Sequence, residues 1–284
     1  MRVALAQITP KLGDLQANLD KHLELIAQAR QGGANLLVFP ELSLTGYFLE
    51  ELAYHVSLRR DSDELRQVAE AAGDMAVVLG FCEETPDYRY YISAAFIEQG
   101  AIKHLHRKVY LPTYGMFTDQ RYFAEGDRFR AFDASFGRCG LLVCEDAWHS
   151  SAVSILAADG ADYLICINSS PGRGIVTGGR TLGSSDAWEM LTRTHAQFFT
   201  SFFMFCNRVG YEDGINFWGG SEVIGPDGEC LGKAPYFDEG FTCVEIDPSA
   251  LRRVRINLPL LRDEKLELTL REYRRVLEAR YGDR

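Results

Sequence analysis

A cysteine at the end of an apolar run is the first candidate for chemistry in this sequence. Cys144 follows the apolar residues 140–143 and is followed at once by Glu145, Asp146 and a helix-like stretch. This pattern predicts a strand that turns sharply into a helix, which presents a nucleophile beside free backbone N–H groups. The positive end of that helix is expected to lower the pKa of the thiol. Because any one of the seven cysteines could be a small buried apolar residue, the prediction depends on partners for the thiol.

Two earlier segments each deliver one charged residue at the end of a predicted strand. Residues 34–40 are largely apolar and end in a proline before Glu41, and residues 101–107 lead to Lys108. A glutamate held against apolar neighbours is desolvated, which raises its pKa and suits it to act as a general base. A nearby lysine stays cationic and can stabilise an oxyanion. Each alone could be an ordinary surface charge, but with Cys144 they predict acyl transfer without a histidine.

Five segments, in this order, resemble those of the nitrilase superfamily of carbon-nitrogen hydrolases. They lie at residues 1–7, 39–42, 106–108, 143–146 and 219–228. The resemblance covers nearly the whole chain. It implies a catalytic triad made of the glutamate, lysine and cysteine named above, a four-layer α-β-β-α sandwich, and no cofactor.

Two loops are similar to the glutaminase domain of glutamine-dependent NAD synthetases, at residues 108–114 and 144–148. Asp119 stands where that family usually carries a second glutamate, and it is assigned to hold Lys108 or the substrate. The arginine that would bind the glutamine carboxylate is not in register, although Arg173 and Arg180 lie on either side of its place. We expect an enzyme that acts without a fused ATP-dependent synthetase domain, and we favour an amide other than glutamine.

The resemblance also implies a set of residues that bind or position the substrate. Tyr114 and Phe117 could instead be plain core aromatics, and both interpretations stay open. A papain-like pair of Cys144 with His149 is disfavoured, because a residue five positions later on the exit helix would point away from the thiol. No spacing of histidine and cysteine fits a metal site. The substrate-binding or positioning set is Tyr114, Phe117, Asp119, Glu145, Trp148, Ser170 and Arg173.

The predicted activity is hydrolysis of a non-peptide carbon-nitrogen bond in a small amide, through a cysteine thioester, with release of ammonia and a carboxylate. Three alternatives remain. The chain could be a glutaminase subunit that feeds ammonia to a partner synthetase. It could hydrolyse nitriles or N-carbamoyl amino acids. It could also be an acyltransferase or a non-catalytic scaffold of the same fold.

Composition narrows the class of protein. The chain has 284 residues, 46% of them hydrophobic, and can bury a large core. A formal net charge of −10, without a basic cluster, argues against nucleic-acid or anionic-membrane partners. The amino terminus is too short an apolar stretch for a signal peptide. An odd number of cysteines without a Cys-x-x-Cys pair fits reduced thiols, so we expect a cytoplasmic enzyme.

Hydrophobic spacing predicts alternating strands and helices. Two such sets, each needing a helix layer and a sheet partner, favour the same α-β-β-α sandwich. Residues 1–250 would form the hydrolase domain, and residues 251–284 a largely helical extension at an oligomer interface, in a homodimer or higher homo-oligomer. Residues 169–185 predict a loop that could wall the pocket. Further strands are predicted at 3–8, 76–81, 91–98, 129–132, 138–144, 163–167, 203–208, 219–224 and 241–246, and helices at 15–30, 62–72, 149–159, 186–199 and 266–281.

Overall fold

A computed structural model describes residues 1–174 and 182–282 of the chain. The strands are β1 (Arg2–Gln7), β2 (Leu36–Val38), β3 (Ala76–Glu84), β4 (Tyr90–Glu98), β5 (Ala101–Arg107), β6 (Phe132–Ala134), β7 (Gly137–Val143), β8 (Tyr163–Asn168), β9 (Phe202–Asn207), β10 (Val209–Glu212), β11 (Ile215–Trp218), β12 (Glu222–Ile224), β13 (Cys230–Lys233) and β14 (Gly240–Glu245). The α-helices are α1 (Leu15–Gln31), α2 (Ala53–Val56), α3 (Asp63–Ala72), α4 (Asp119–Tyr122), α5 (Ser150–Ala158), α6 (Gly183–Phe198), α7 (Ser249–Asn257), α8 (Leu260–Asp263) and α9 (Leu266–Tyr281). Short 3-10 turns lie at Glu50–Leu52 and Cys144–Trp148.

The larger strands form two six-stranded sheets. The first has the order β14-β1-β2-β3-β4-β5 and the second β13-β12-β9-β8-β7-β6, while β10 and β11 pair as a separate hairpin. The central strands β1, β2 and β3 run parallel, as do β7, β8 and β9. Parallel strands end at one edge of their sheet, so the residues that follow them are brought together there.

Alternation along β1 explains how the layers are stacked. Val3 and Leu5 join the apolar cluster between the two sheets, whereas Ala4 and Ala6 face the opposite way and pack with α1 and α3. The first sheet faces the second through β4 against β7 and β1 against β9, and the second sheet is covered by α6. The predicted four-layer α-β-β-α sandwich is confirmed.

The helix boundaries follow their capping residues. The Asp14 carboxylate accepts a hydrogen bond from the Ala17 N–H at the start of α1, which ends at Gly32. The Ser62 hydroxyl likewise accepts from the Leu65 N–H and caps α3. Both helices match their predicted spans to within a residue. Helix α9 matches its predicted bounds, while the division of the chain at residue 250 stays a prediction.

Several predicted boundaries were wrong. The strand expected at 129–132 lies at β6, where the chain pairs with β7 in a short hairpin. The strand expected from residue 219 begins only at Glu222, because Gly219 and Gly220 both have positive φ, 71° and 62°, which breaks a strand. The expected loop 169–185 ends earlier than predicted, since α6 begins at Gly183, and residues 175–181 lie outside the described residues.

All seven cysteines fall within the described residues and are free thiols. Among the helices described, none combines the length and apolar character needed to cross a membrane.

Candidate active site

Ends of three strands bring the three predicted catalytic side chains into one region. Glu41 lies three residues beyond β2, Lys108 directly follows β5, and Cys144 directly follows β7. The first two belong to one sheet and the cysteine to the other. Facing sheets therefore deliver the acid and the cation to the thiol across their interface.

Lys108 is the centre of this group. Its Nζ lies 2.8 Å from Glu41 Oε1 and 2.7 Å from Asp119 Oδ2, and the side chains of Lys108 and Glu41 have 0% exposure. Burial opposes the charge on the amine, but the carboxylates of Asp119 and Glu41 outweigh it and hold the pKa of Lys108 well above its ordinary value. Lys108 is therefore a cation at any physiological pH.

Glu41 is held from several sides. The Ser169 N–H donates to Glu41 Oε2 at 2.9 Å, and the Ser169 hydroxyl donates to the Glu41 carbonyl at 3.0 Å. Burial raises the pKa of Glu41, although the Lys108 charge partly opposes this. A carboxylate with a raised pKa is a better proton acceptor, as the sequence predicted.

The turn that carries Glu41 lies directly on β3. A Cβ built on Gly80 would lie 2.4 Å from the Leu42 nitrogen, closer than any real contact of this kind. Leu42 itself has φ 48°, in the left-handed region that side chains rarely adopt. A glycine in β3 and a strained turn together hold the carboxylate in place.

Cys144 also has a left-handed backbone, with φ 47°, as expected of a nucleophile at a sharp elbow. Burial, followed by the negative charge of Glu41, raises the pKa of its thiol well above the ordinary value, against the opposing effect of Lys108. The predicted lowering of this pKa was wrong. Cys144 and the four residues after it form a 3-10 turn, and α5 begins only at Ser150, so burial outweighs the dipole of the elbow. The thiol therefore needs a base to remove its proton.

Asp119 is linked to a residue that the sequence analysis missed. The Tyr47 hydroxyl donates to Asp119 Oδ1 at 2.8 Å, while Asp119 Oδ2 accepts from Lys108. Burial and the Asp119 charge raise the pKa of Tyr47 well above its ordinary value, so its hydroxyl keeps its proton. In the sequence, Tyr47 lies six residues after Glu41 and directly after Gly46. This nearness to the predicted base was the one signal that could have identified it.

A second buried ion pair holds the backbone at Tyr47. Arg208 and Glu212 lie 2.7 Å apart with side-chain exposures of 1% and 4%. Glu212 Oε1 accepts hydrogen bonds from the backbone N–H groups of Tyr47 and Phe48. The Arg208 guanidinium stacks on Phe217 at 4.2 Å. Sequence reasoning missed this pair as well, since the contact of Glu212 with Tyr47 joins positions 165 apart.

A cavity of 220 Å³ opens above Cys144. Six of the predicted substrate residues line it, while Asp119 lies beneath it on Lys108. Trp188, on α6, was missed, because the sequence analysis placed it only within a predicted helix. The lining residues are Tyr114, Phe117, Cys144, Glu145, Trp148, Ser170, Pro171, Arg173, Ser184, Ala187 and Trp188.

Four of the eleven residues that line this cavity are aromatic. The rings of Trp148 and Trp188 meet edge to face at 5.2 Å, and the Arg173 guanidinium lies 5.3 Å from the Phe117 ring centroid. Tyr114 and Phe117 therefore line the cavity, and a role for them in substrate binding stays a prediction. Arg180, the alternative to Arg173, lies outside the described residues.

Polar groups lie at two points of the rim. The Tyr114 hydroxyl donates to Glu145 Oε2 at 2.8 Å. The Ser170 hydroxyl accepts from Trp218 Nε1 at 3.3 Å. His149 stacks on Tyr110 with ring centroids 3.5 Å apart. Across residues 1–174 and 182–282, no three His, Cys, Asp or Glu side chains are arranged to hold a metal ion.

The chain was compared with known proteins. The family model of carbon-nitrogen hydrolases matches residues 2–256. Glutamine-dependent NAD(+) synthetase of Thermotoga maritima is 32% identical over 272 residues, covering 94% of this chain and 46% of that protein. The same enzyme of Acinetobacter baylyi is 30% identical over 257 residues, covering 90% and 46%. This chain thus spans about half the length of these relatives.

A solved structure covers both chains almost completely. It is a cysteine-to-alanine mutant of an amidase of the nitrilase superfamily from Nesterenkonia AN1, with 27% identity, a TM-score of 0.79, and coverage of 95% of this chain and 96% of that one. The family match over residues 2–256 and this shared fold agree with the buried cysteine, lysine and glutamate described above. The resemblance noted from the sequence is confirmed, and the chain belongs to the carbon-nitrogen hydrolase family, an enzyme of the nitrilase superfamily.

Proposed function

We propose that this enzyme hydrolyses a small primary amide through a thioester on Cys144, releasing ammonia and a carboxylate. The observation that carries this proposal is the buried Lys108 cation, bonded to Glu41 and Asp119 at 2.8 and 2.7 Å beneath an aromatic cavity that contains the thiol.

In the first half-reaction, Glu41 takes the thiol proton as sulfur attacks the amide carbon. The raised pKa of Glu41 favours this transfer. The oxyanion is stabilised by the Lys108 ammonium and by the backbone N–H of Glu145. Glu41 then returns the proton to the leaving nitrogen, so the carbon-nitrogen bond breaks and ammonia departs.

In the second half-reaction, Glu41 removes a proton from water as its oxygen attacks the thioester. The tetrahedral intermediate uses the same Lys108 cation. Its collapse breaks the carbon-sulfur bond, leaves the carboxylic acid, and returns the proton to Cys144. Asp119 holds the Lys108 amine through its 2.7 Å hydrogen bond during both steps, and Tyr47 holds Asp119 in turn.

The cavity supports a short acyl group as substrate. Its volume of 220 Å³ suits a small molecule, and its aromatic walls favour apolar atoms. The amidase of Nesterenkonia sp. AN1 has been solved in complex with acrylamide, a small primary amide. We therefore favour aliphatic amides of a few carbons.

Glutamine is a second candidate. Arg173 lies at the cavity rim with its charge directed over Phe117, where it could meet a substrate carboxylate. Glu145, bonded to Tyr114, could meet an amino group. The similarity to NAD synthetases supports this option, in which the ammonia would pass to a synthetase partner.

We also propose that the protein is a homo-oligomer in the cytoplasm. The seven free thiols suit a reducing compartment. A groove of 1070 Å³ beside α9, which we name the C-terminal groove, is a fitting surface for a second copy. All sixteen residues of α9 are described and none is buried. A helix of this length is only marginally stable in water unless another surface packs against it. Apolar residues of the C-terminal groove are Ile155, Phe198, Leu260, Leu266, Leu268, Leu270 and Tyr273.

The test is ammonia release from a panel of glutamine, short aliphatic and aromatic amides, N-carbamoyl amino acids and nitriles. Cys144→Ala is the control, since it removes the sulfur and leaves the elbow. We expect release from short amides that is lost in Cys144→Ala. Release from glutamine alone would replace this substrate by the second candidate. Equal release by wild type and Cys144→Ala, or none from any compound, would refute the proposed hydrolysis.

A further inference from the structure

One buried carboxylate joins the lysine segment to the cysteine elbow. Asp146 has 0% exposure. Its Oδ1 accepts the backbone N–H groups of Val109 and Tyr110, both at 3.0 Å. Its Oδ2 accepts the Val143 N–H at 3.0 Å and the His106 Nε2–H at 2.8 Å. All four contacts have good hydrogen-bond lengths.

These four donors come from both sheets and flank the reacting groups. His106 lies in β5, two residues before Lys108, and Val109 directly follows Lys108. On the other sheet, Val143 precedes Cys144 and Asp146 is two residues beyond it. The carboxylate thus holds the His106 side chain before the cation, the backbone after the cation, and the backbone before the thiol.

We infer that His106 and Asp146 are positioning residues that fix the distance between the Lys108 ammonium and the Cys144 thiol. The inference rests on the proposed roles of those two groups. Neither His106 nor Asp146 lines the substrate cavity, so both act through the segments they join.

The histidine is the side chain that crosses between the sheets. Its Nε2 donates to the carboxylate, which already accepts three backbone N–H groups and can only accept here. The His106 ring is almost fully buried and lies 5.5 Å from Phe129. Loss of this bond would leave Asp146 bonded to the lysine segment only through the backbone N–H groups of Val109 and Tyr110. A displacement of about 1 Å between reacting groups can cost roughly 100-fold in rate.

The chain offers a matched control on the same elbow. His195, on α6, is also buried, and its Nε2 lies 2.8 Å from the Ala147 carbonyl, one residue beyond Asp146. His195 therefore packs on the cysteine elbow without bonding the lysine segment. Its replacement tests the structural effect of losing a buried histidine at the elbow, separately from any effect on the distance to Lys108.

The experiment compares His106→Ala, His106→Gln, His106→Asn and His195→Ala. A glutamine amide reaches about as far as His Nε2 and can donate to Asp146, whereas an asparagine amide is one methylene too short. For each variant, kcat and KM on the best amide, the rate of Cys144 alkylation by iodoacetamide, and the unfolding midpoint in urea are measured.

We expect His106→Ala and His106→Asn to lower kcat by about 100-fold with KM within about 2-fold. His106→Gln should recover kcat to within about 5-fold of wild type, and His195→Ala should keep kcat within about 2-fold while losing similar stability. The alkylation rate should change in His106→Ala but not in His195→Ala. If His106→Ala does not fold, kcat is compared between His106→Gln and His106→Asn. Both side chains are polar, and only the glutamine amide reaches Asp146.

Equal kcat in His106→Gln and His106→Asn would overturn the inference, as would losses of kcat that simply follow the loss of stability in His106→Ala and His195→Ala. Failure of the proposed function looks different, because wild type itself would then show no turnover that depends on Cys144. In that case the alkylation rates still report whether His106 controls the surroundings of the thiol.

Discussion

The active site and the C-terminal helix bury their side chains in opposite ways. Lys108, Glu41 and Asp119 are charged and yet buried. In α9, by contrast, the apolar side chains of Leu266, Leu268 and Leu270 are exposed. Proteins usually expose charged side chains and bury apolar ones, so both regions reverse the usual arrangement.

The buried charges and the exposed apolar side chains are stabilised in different ways. Each of the buried charges of Lys108, Glu41, Asp119, Arg208 and Glu212 meets an opposite charge within 3 Å, and all of these partners belong to one chain. In α9 the described ion pairs lie among exposed side chains, and the apolar face has no comparable cover. The comparison teaches that the buried charges of the first region are paired by folding alone, whereas the second region depends on the association proposed above for its cover.

The sharpest way to break this comparison is Lys108→Met. The variant leaves the Glu41 and Asp119 carboxylates buried without their shared cation, so we expect a loss of about 3–5 kcal/mol in the free energy of unfolding. Turnover should fall by about 1000-fold or more, because the oxyanion loses its cation. Urea unfolding and ammonia release measure the two effects.

Asp119→Asn combined with Lys108→Met separates stability from catalysis. The double variant removes one of the two carboxylates, so it should regain part of the lost stability while turnover stays low. A single Lys108→Met variant as stable as wild type would show that the buried charges do not depend on one another.

The pH dependence of turnover tests the same group with a smaller effect. Glu41 must be ionised to act as a base, and burial raises its pKa. Activity should therefore fall as pH drops through that raised pKa, with the half-maximal point of kcat/KM above the ordinary glutamate value of about 4.3. Because the pKa of Lys108 is also raised, loss of its charge should not limit activity below about pH 10. A profile of ammonia release from pH 4 to 10 checks both limbs, and an acid limb at or below 4.3 would contradict the expectation.

The active site was predictable where its chemistry follows an element that the sequence itself specifies. Cys144, Lys108 and Glu41 each stand at the end of a strand whose apolar residues mark it. Family resemblance then ordered the three into one site. The bounds of α9 were predictable for a related reason, since local helical spacing is enough to define a lone helix.

Properties that depend on segments distant in the sequence were not predictable. The contact of Glu212 with Tyr47 joins positions 165 apart, and no local pattern encodes it. The thiol pKa of Cys144 was predicted in the wrong direction, because its burial is produced by segments that pack over it from elsewhere. The helix predicted at 149–159 is present as α5, but a short 3-10 turn separates it from Cys144.

Association through α9 is tested by Leu270→Glu combined with Tyr273→Glu. These side chains line the C-terminal groove, and charging them should convert an oligomer to monomers in sedimentation velocity. Turnover should stay within about 3-fold, since the active site is complete in one chain. Arg274→Glu, on the same helix, is the control for charge alone. A wild-type monomer, or a double variant that sediments like wild type, would refute the cover by a second copy.

The smallest change in stability is expected for Arg275→Ala on α9. This variant sharpens the comparison because its ion pair has the same length as the buried pair of Arg208. Arg275 lies 2.7 Å from Glu272, and Arg208 lies 2.7 Å from Glu212, yet the first pair is exposed at 65% and 47% and the second at 1% and 4%. Water screens the exposed pair, so Arg275→Ala should change the free energy of unfolding by less than about 0.5 kcal/mol. Arg208→Ala, which leaves Glu212 buried without its partner, should cost about 3–5 kcal/mol. Equal losses in urea unfolding would mean that solvent does not reach Arg275 in solution, and the surface covered by a second copy would then have to include the charged side of α9.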